Sequence, residues 1–328
     1  MKNLTCSNLL HDGKEGKLYI TENGVYVWDV TIDVGLGDEV FIGHISDIHL
    51  NYCNEQDMKE ANPVLMSTYE NRKWLANAAS VPHLHNCLSV LDDADQLVFN
   101  GDTMDFLSHG TMELMQREVW DKIPDVIATV GGHEISVRMQ GKVAEELSRD
   151  ERIKIVGDFW KHDMFYVSKV IKEKVMVVGF FNDKGMCNEK QVDRLKADIE
   201  TARKNGYIIL GFAHEPIRTN NPEEVNFTED MALLKGDTSS FPENFRDGIV
   251  CRMNALGADG CDESSKEFYN LLVNNADVVK GFFAGHHHNN IYTEIVAKTS
   301  DGKSSIIPQY IHTASAYNKG SLMRILIK

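Results

Sequence analysis

Positive charge is scarce in this chain. Lys and Arg number 34 against 49 Asp and Glu, a formal net charge of −15 over 328 residues. A protein that grips a phosphate backbone normally shows a basic face, so this balance argues against nucleic acid as a partner. It leaves room for a small anionic substrate, provided that bound cations reverse the local field. Cysteine is sparse too. Cys6, Cys53, Cys87, Cys187, Cys251 and Cys261 form no C-x-x-C pair, which points to free thiols in a reducing compartment. Cys251 and Cys261 are the pair that an oxidising compartment could join. No apolar run approaches the ~20 residues of a membrane span, and residues 1–8 lack the apolar core of a secretion signal. The expectation is a soluble, cytoplasmic protein with no membrane partner. No internal repeat and no linker divides the chain, so one domain over residues 1–328 is expected.

What is present is a beat of strands, several followed by polar residues of chemical interest. Lys17–Ile20 and Val25–Trp28 flank Asn23-Gly24, a hairpin signal within residues 17–33. The run Val40–Ile45 then delivers Asp47 and His49. Residues two apart on a strand share a face, so both side chains can meet at one point. A polar loop is expected from Asn51 to Asn62, a helix from about Tyr69 to Ala79, and a second helix from Pro82. Gln96–Phe99 reads as a buried strand ending before Gly101-Asp102. Helical sequence runs to about Trp120, and Val126–Val130 is a strand ending at Gly131. Further strands are expected at Phe165–Val167, Val175–Val178, Ile208–Phe212, Phe282–Ala284, Ile291–Val296, Gln309–His312 and Leu322–Ile327, with a helix at Glu189–Lys204. Two sheets packed face to face, with helices outside, accommodate this count. Between Pro216 and about Glu263 the sequence is polar, with weak periodicity. That is too long for a plain connection and suggests a cap or specificity insertion over 217–263.

The chemistry lies at the strand ends. Asp102 follows a glycine, which lets the backbone pass close to whatever the carboxylate binds. His214 also ends a strand, and His286 and His288 repeat the two-residue spacing of Asp47 and His49. Two carboxylates and four imidazoles are too many for one tetrahedral ion and suit two ions a few ångströms apart. Taken in order, Asp47-x-His49, Gly101-Asp102-x-x-Asp105, Gly131-x-His133-Glu134, His214-x-Pro216 and Gly285-His286-x-His288 resemble the motifs of the calcineurin-like metallophosphoesterase family. The resemblance runs from residue 47 to 288, most of the chain.

That resemblance implies a four-layer α/β/β/α sandwich of two mixed sheets with outer helices. It also implies a dinuclear metal centre that hydrolyses phosphate mono- or diesters through a metal-bridging hydroxide. Asp47, His49 and His288 would hold the first ion, Asp102 would bridge, and His214 and His286 would hold the second. His133 would act on the phosphate or the leaving oxygen, with Asp105 hydrogen-bonded to it to set its tautomer. His and Asp donors accept Mn, Fe, Zn or Ni, so the metal's identity stays open. Oligomeric state is equally open. One position departs from the pattern: the family's Asn ligand is replaced by Gly132, which offers no side chain. A weaker and more hydrated second ion, a substitute ligand, or a metal-binding scaffold without turnover would each accommodate that change.

Of the remaining histidines, His287 points away from its neighbours and should pack. His83 and His85 should lie on a helix surface. His44 should be a satisfied core residue, and His312 could reach the rim of the site. Glu134 should either support a ligand or begin a helix.

Overall fold

The computed structural model describes residues 1, 4–60, 69–70, 72, 80–135, 147–219, 256–257 and 261–328. The first sheet comprises β1 (Cys6–Gly13), β2 (Gly16–Thr21), β3 (Tyr26–Ile32), β4 (Val40–Ile45), β5 (Gln96–Asn100), β6 (Ile127–Thr129) and the last strand of the chain, β13 (Ser321–Ile327). Their order is β1-β2-β3-β13-β4-β5-β6. The second sheet holds β7 (Tyr166–Ile171), β8 (Val175–Phe180), β9 (Ile208–Phe212), β10 (Val279–Ala284), β11 (Ile291–Lys298) and β12 (Ser304–Ile311), in the order β11-β12-β10-β9-β8-β7. Both sheets are mixed. β4, β5 and β6 run parallel, as do β8, β9 and β10, while β1, β2 and β3 pair antiparallel.

Burial on both faces explains the composition of the inner strands. All residues of β4, β8 and β9 are buried, so they read as near-continuous apolar runs instead of alternating ones. Trp28, Val30, Ile42 and Val98 of the first sheet meet Val177, Leu210, Phe212 and Phe283 of the second in the inter-sheet core. On the outer face of the first sheet, Leu84, Trp120 and Val156 of helical segments cover Phe41, Ile45 and Phe99. Val192, Leu195, Phe268 and Leu272 cover Met176, Val178 and Phe282 on the other side. The layers are therefore helix, sheet, sheet, helix, as expected.

Several local expectations need correction. β13 does not continue the C-terminal sheet; it inserts between β3 and β4, parallel to one and antiparallel to the other. The two sheets are thus not the two halves of the chain. The polar loop after β4 contains a short helix, Glu55–Glu60, because the Asn54 side chain accepts from the backbone N–H groups of Gln56 and Asp57. A helix at Arg149–Phe159 was also not anticipated, although Ser148 and Glu151 form a reciprocal capping box ahead of it. Likewise Asp262 caps a helix at Glu263–Val273, directly after the polar stretch. The second expected helix does start near Pro82, spanning Ser80–Val90. Tyr69, Glu70 and Arg72 are helical, and the rest of the first expected helix lies outside the described residues. So does most of 217–263, together with Cys251. Among the described residues no helix is long and apolar enough to cross a membrane.

Candidate metal centre

Five parallel strands point their C-terminal ends at one edge of the sandwich, where open α/β sheets bear their sites. The loop after β4 carries Asp47 and His49, that after β5 carries Asp102 and Asp105, and that after β6 carries His133. The loops after β9 and β10 carry His214 and the pair His286 and His288. Asn100 ties the two sheets together beneath them. Its Nδ2 donates to the Ala213 and Phe283 carbonyls, both at 2.9 Å, and its Oδ1 accepts from Thr129 Oγ1 at 2.9 Å. Nothing in the sequence pattern marked Asn100 for this role.

The convergence does not arise as the sequence suggested. β4 stops at Ile45 and β10 at Ala284, so neither spaced pair lies on a strand face. Instead Asp47, His49, Asp102, His286 and His288 all adopt left-handed backbone, with φ between 49° and 71°. Asp and His tolerate this region better than most residues. Each such residue still costs on the order of 1–3 kcal/mol, a strain that surrounding structure must hold in place. Close approach is the other requirement. A Cβ on Gly285 would sit 1.8 Å from Ser46 Oγ, and one on Gly131 would sit 2.2 Å from Asp102 Oδ1.

The donors fall into two sets. In the first, His288 Nε2 lies 3.0 Å from Asp47 Oδ1 and 3.2 Å from His49 Nε2. In the second, His214 Nε2 lies 3.0 Å from Asp102 Oδ2 and 3.3 Å from His286 Nδ1. Within each set the donor atoms all lie within 4.8 Å of one another. Atoms bound to one ion at about 2.0–2.2 Å must stand roughly 3–4.4 Å apart, so both sets fit a shared cation. Asp102 belongs to the second set alone; the short link between the sets runs from Asp47 Oδ1 to His214 Nε2, 3.9 Å.

A third set, His49, Asp105 and His133, has comparable spacing. Its carboxylate is already saturated. Asp105 Oδ2 accepts from Asn51 Nδ2 at 2.8 Å and Arg72 Nε at 2.6 Å, while Oδ1 accepts from Arg72 and lies 3.0 Å from His49 Nδ1. Its role is to orient His49 and to neutralise Arg72. The expected link between Asp105 and His133 takes another form as well. His133 Nδ1–H donates to the Asp105 backbone carbonyl at 2.8 Å, with the carboxylate at 3.4 Å. A carbonyl can only accept, so this bond sets the tautomer and leaves Nε2 facing Asp102 Oδ2 at 3.8 Å. In the same way His214 Nδ1–H donates to the Asn100 carbonyl at 3.0 Å and frees Nε2.

Electrostatics follow the packing. Burial acts to raise the Asp47 and Asp102 carboxyls, yet the facing histidines win and hold both below the ordinary range. Burial acts to lower His133, and the charges of Asp102 and Asp105 overcome it, pushing the ring up to about 9. His286 is held well below its usual value by burial and by His214 and His287. Burial, helped by Asp102, pushes Glu134 up to about 7; its two oxygens accept from Met104 N and Gly131 N while it sits in the first turn of the helix Gly132–Ile135. Of the two expectations for Glu134, the helix-start position is the one seen; its hydrogen-bond partners are backbone N–H groups.

Tyr317 escaped notice in the sequence. Its hydroxyl lies 3.0 Å from His288 Nδ1, in a loop strapped to the site by Ser315 N–H to Ser46 O and Ala316 N–H to Asp47 O. His83 is half-buried on its helix, and its Nδ1 donates to the Ala316 carbonyl of that same loop at 2.8 Å. His85 is exposed beside Glu118. His44 is fully buried against Phe212 and Phe283, but neither ring nitrogen has a partner among the described residues, so it is not satisfied. His312 stays in the core beside it, bonded to Ser321, and does not reach the rim. His287 is buried and packs against the His286 ring, 5.3 Å between centroids.

Two mixed sheets between helical layers, with Asp and His donors on the loops at one edge, decide the architecture. The architecture is a four-layer α/β/β/α sandwich of two mixed sheets with outer helices. No family model and no curated protein matches the chain. Among solved structures, this chain is similar to a dimetal phosphatase from Danio rerio, at 12% identity and a TM-score of 0.41 over 84% of this chain and 87% of that one. It is similar to a purple acid phosphatase from yellow lupin (Lupinus luteus) seeds, at 11% identity and a TM-score of 0.43 over 94% and 48%. It is also similar to a putative 5'-nucleotidase from Staphylococcus aureus, at 12% identity and a TM-score of 0.40 over 88% and 51%. The chain spans about half the length of the last two proteins.

Proposed function

We propose that this chain is a dinuclear metal-dependent hydrolase of small phosphate esters. One observation carries the reading: the two neighbouring donor sets, Asp47/His49/His288 and Asp102/His214/His286, joined through the 3.9 Å approach of Asp47 to His214. Two divalent ions bound there would act as Lewis acids on the phosphate and lower the pKa of water toward neutrality. The chain's own residues do the rest. His214, with its Nδ1–H committed to Asn100, presents Nε2 to the second set. Asp105 and Tyr317 orient His49 and His288 from behind. In this reading Asp102, whose Oδ2 lies 3.0 Å from His214 Nε2, would be shared between the ions, and His133, tied at Nδ1 with Nε2 free, would hold a proton for the leaving oxygen. Residues 51–62 and 217–263 would supply the groups that select the ester, and with them the choice between monoester and diester.

The test is elemental analysis of protein purified without chelator, paired with turnover of aryl phosphomonoesters and phosphodiesters. About two equivalents of Mn, Fe, Zn or Ni and turnover of one ester class are expected. Full metal content and full activity in His49→Ala would sink the assignment. A second reading, a metal-holding scaffold without turnover, draws on the absent side chain at Gly132. It is favoured if metal is bound and no ester is cleaved.

A further inference from the structure

Residues 313–317, in the loop between β12 and β13, fasten onto the first donor set and not onto the second. Thr313 Oγ1–H donates to the His288 carbonyl at 2.8 Å, and the Tyr317 hydroxyl lies 3.0 Å from His288 Nδ1. An imidazole that ligates through Nε2 carries its proton on Nδ1, where the phenol oxygen accepts it. Ala316 N–H donates to the Asp47 carbonyl at 3.2 Å, and Ser315 N–H to the adjoining Ser46 carbonyl at 2.9 Å. Both ligands held in this way have left-handed backbone, Asp47 at φ 54° and His288 at φ 55°. Such backbone persists only where neighbouring structure holds it. None of these bonds reaches Asp102, His214 or His286. The second set has an anchor of its own, the bond from His214 Nδ1–H to the Asn100 carbonyl at 3.0 Å.

The loop is braced from outside by the helix Ser80–Val90. His83 Nδ1–H donates to the Ala316 carbonyl at 2.8 Å, and Asn86 Nδ2 donates to the Lys319 carbonyl at 2.9 Å. Ala316 thereby joins helix to site, its N–H on Asp47 and its carbonyl on His83. Asn318 and Lys319 are left-handed as well, at φ 55° and 63°. Gly320, at φ 113°, presses so closely on the helix that a Cβ there would lie 2.7 Å from Cys87 Sγ and 2.9 Å from the His83 carbonyl oxygen. The junction is a tight seam.

We propose that residues 313–317, braced by His83, are the positioning device of the ion held by Asp47, His49 and His288, and of that ion alone. The inference rests on the dinuclear reading above. Thr313, Tyr317 and His83 are positioning residues: each acts through Asp47 or His288. Loss of a supporting group of this kind costs ~10–100-fold in metal affinity.

The experiment is a calorimetric Mn²⁺ titration of the chelator-stripped full chain, with circular dichroism confirming the fold of each variant. Wild type should take up two ions. Tyr317→Phe and His83→Leu should each weaken one ion by ~10-fold or more and shift the other by less than ~2-fold, the scale of coupling between independent sites. The weakened ion should be the one lost in His49→Ala. Tyr317→Phe added to His49→Ala should leave the remaining ion unchanged. His83→Asn, whose side-chain N–H replaces the ring N–H, should keep most of the wild-type affinity. Should His83→Leu fail to fold, Tyr317→Phe, which removes a single oxygen, carries the test. Two ions weakened equally by Tyr317→Phe, or a titration superimposable on wild type, overturns the proposal while the dinuclear reading stands. So does a remaining ion that weakens when Tyr317→Phe joins His49→Ala. His83→Asn as weak as His83→Leu overturns the brace. Fewer than two ions in wild type overturns the dinuclear reading, and the selectivity claimed here with it.

Discussion

Gly131 and Gly132 are adjacent, and the structure assigns them opposite tolerances. An alanine Cβ at 131 would lie 2.2 Å from Asp102 Oδ1, 2.6 Å from Asp102 N and 2.8 Å from His214 Cδ2. None of these is the loose end of a flexible chain: Asp102 accepts from His133 N–H at 3.0 Å, and His214 is pinned to Asn100. The backbone must shift, and forcing a methyl into a packed site costs about 1–3 kcal/mol. At roughly 2–4 °C per kcal/mol for a large domain, Gly131→Ala should melt several degrees below wild type. An alanine at 132 meets Asp183 Oδ1 at 3.4 Å, an ordinary contact, and Gly132 is helical, where alanine is favoured over glycine by about 1 kcal/mol. Gly132→Ala should therefore match or exceed wild-type stability. The same clash displaces a proposed metal-bridging carboxylate, so metal affinity in Gly131→Ala should fall by at least ~10-fold. Differential scanning calorimetry and Mn²⁺ titration read both effects. Equal melting temperatures and equal affinities for Gly131→Ala and wild type would refute the packing argument. So would a Gly132→Ala variant as damaged as Gly131→Ala.

Other expectations follow from the same geometry. His133→Ala should keep its metal yet lose ~10²–10⁴ in turnover, most for alkoxide leaving groups; an equal loss with p-nitrophenolate would remove the proton-donor role. Asn100→Ala strands the Ala213 and Phe283 carbonyls in a buried site, so urea unfolding should report about 1–3 kcal/mol of lost stability, and a smaller change would mean that water replaces the amide. Glu118, drawn down to about 2 by Lys122, Arg117 and His85 against the effect of burial, contributes stability present above its unfolded value. That contribution should fade as pH falls from about 4.5 to about 2, and Glu118→Gln should flatten this part of the stability profile. An unchanged profile would show that the carboxylate is not held in this way.

Much of the site was legible because its chemistry is written in short local spellings. An apolar run followed by Asp-x-His or His-x-His can be seen without knowing where the chain goes. The order of these spellings pointed to the sandwich. Burial on both faces made the inner strands continuous apolar runs, so they too could be read directly. What the residues could not convey is how these spellings converge. The i and i+2 spacing seemed to call for strand faces, whereas the side chains meet because five left-handed residues turn the loops. Such strain persists only when neighbours from other segments hold it, here Ser46, the 315–317 strap and Asn100. Asp105 does lie beside His133, 3.4 Å from its Nδ1, but its shorter contacts are to His49 and Arg72, partners distant in sequence. Tyr317 and Asn182 carry no local signature, because each acquires its contacts from where β8, β12 and the loops after them end. The placement of β13 between β3 and β4 is of the same kind: any apolar strand could fill that gap, and only the packing of the whole chain chooses the last one. Local sequence determined which donors this protein owns; long-range packing decided which of them face one another.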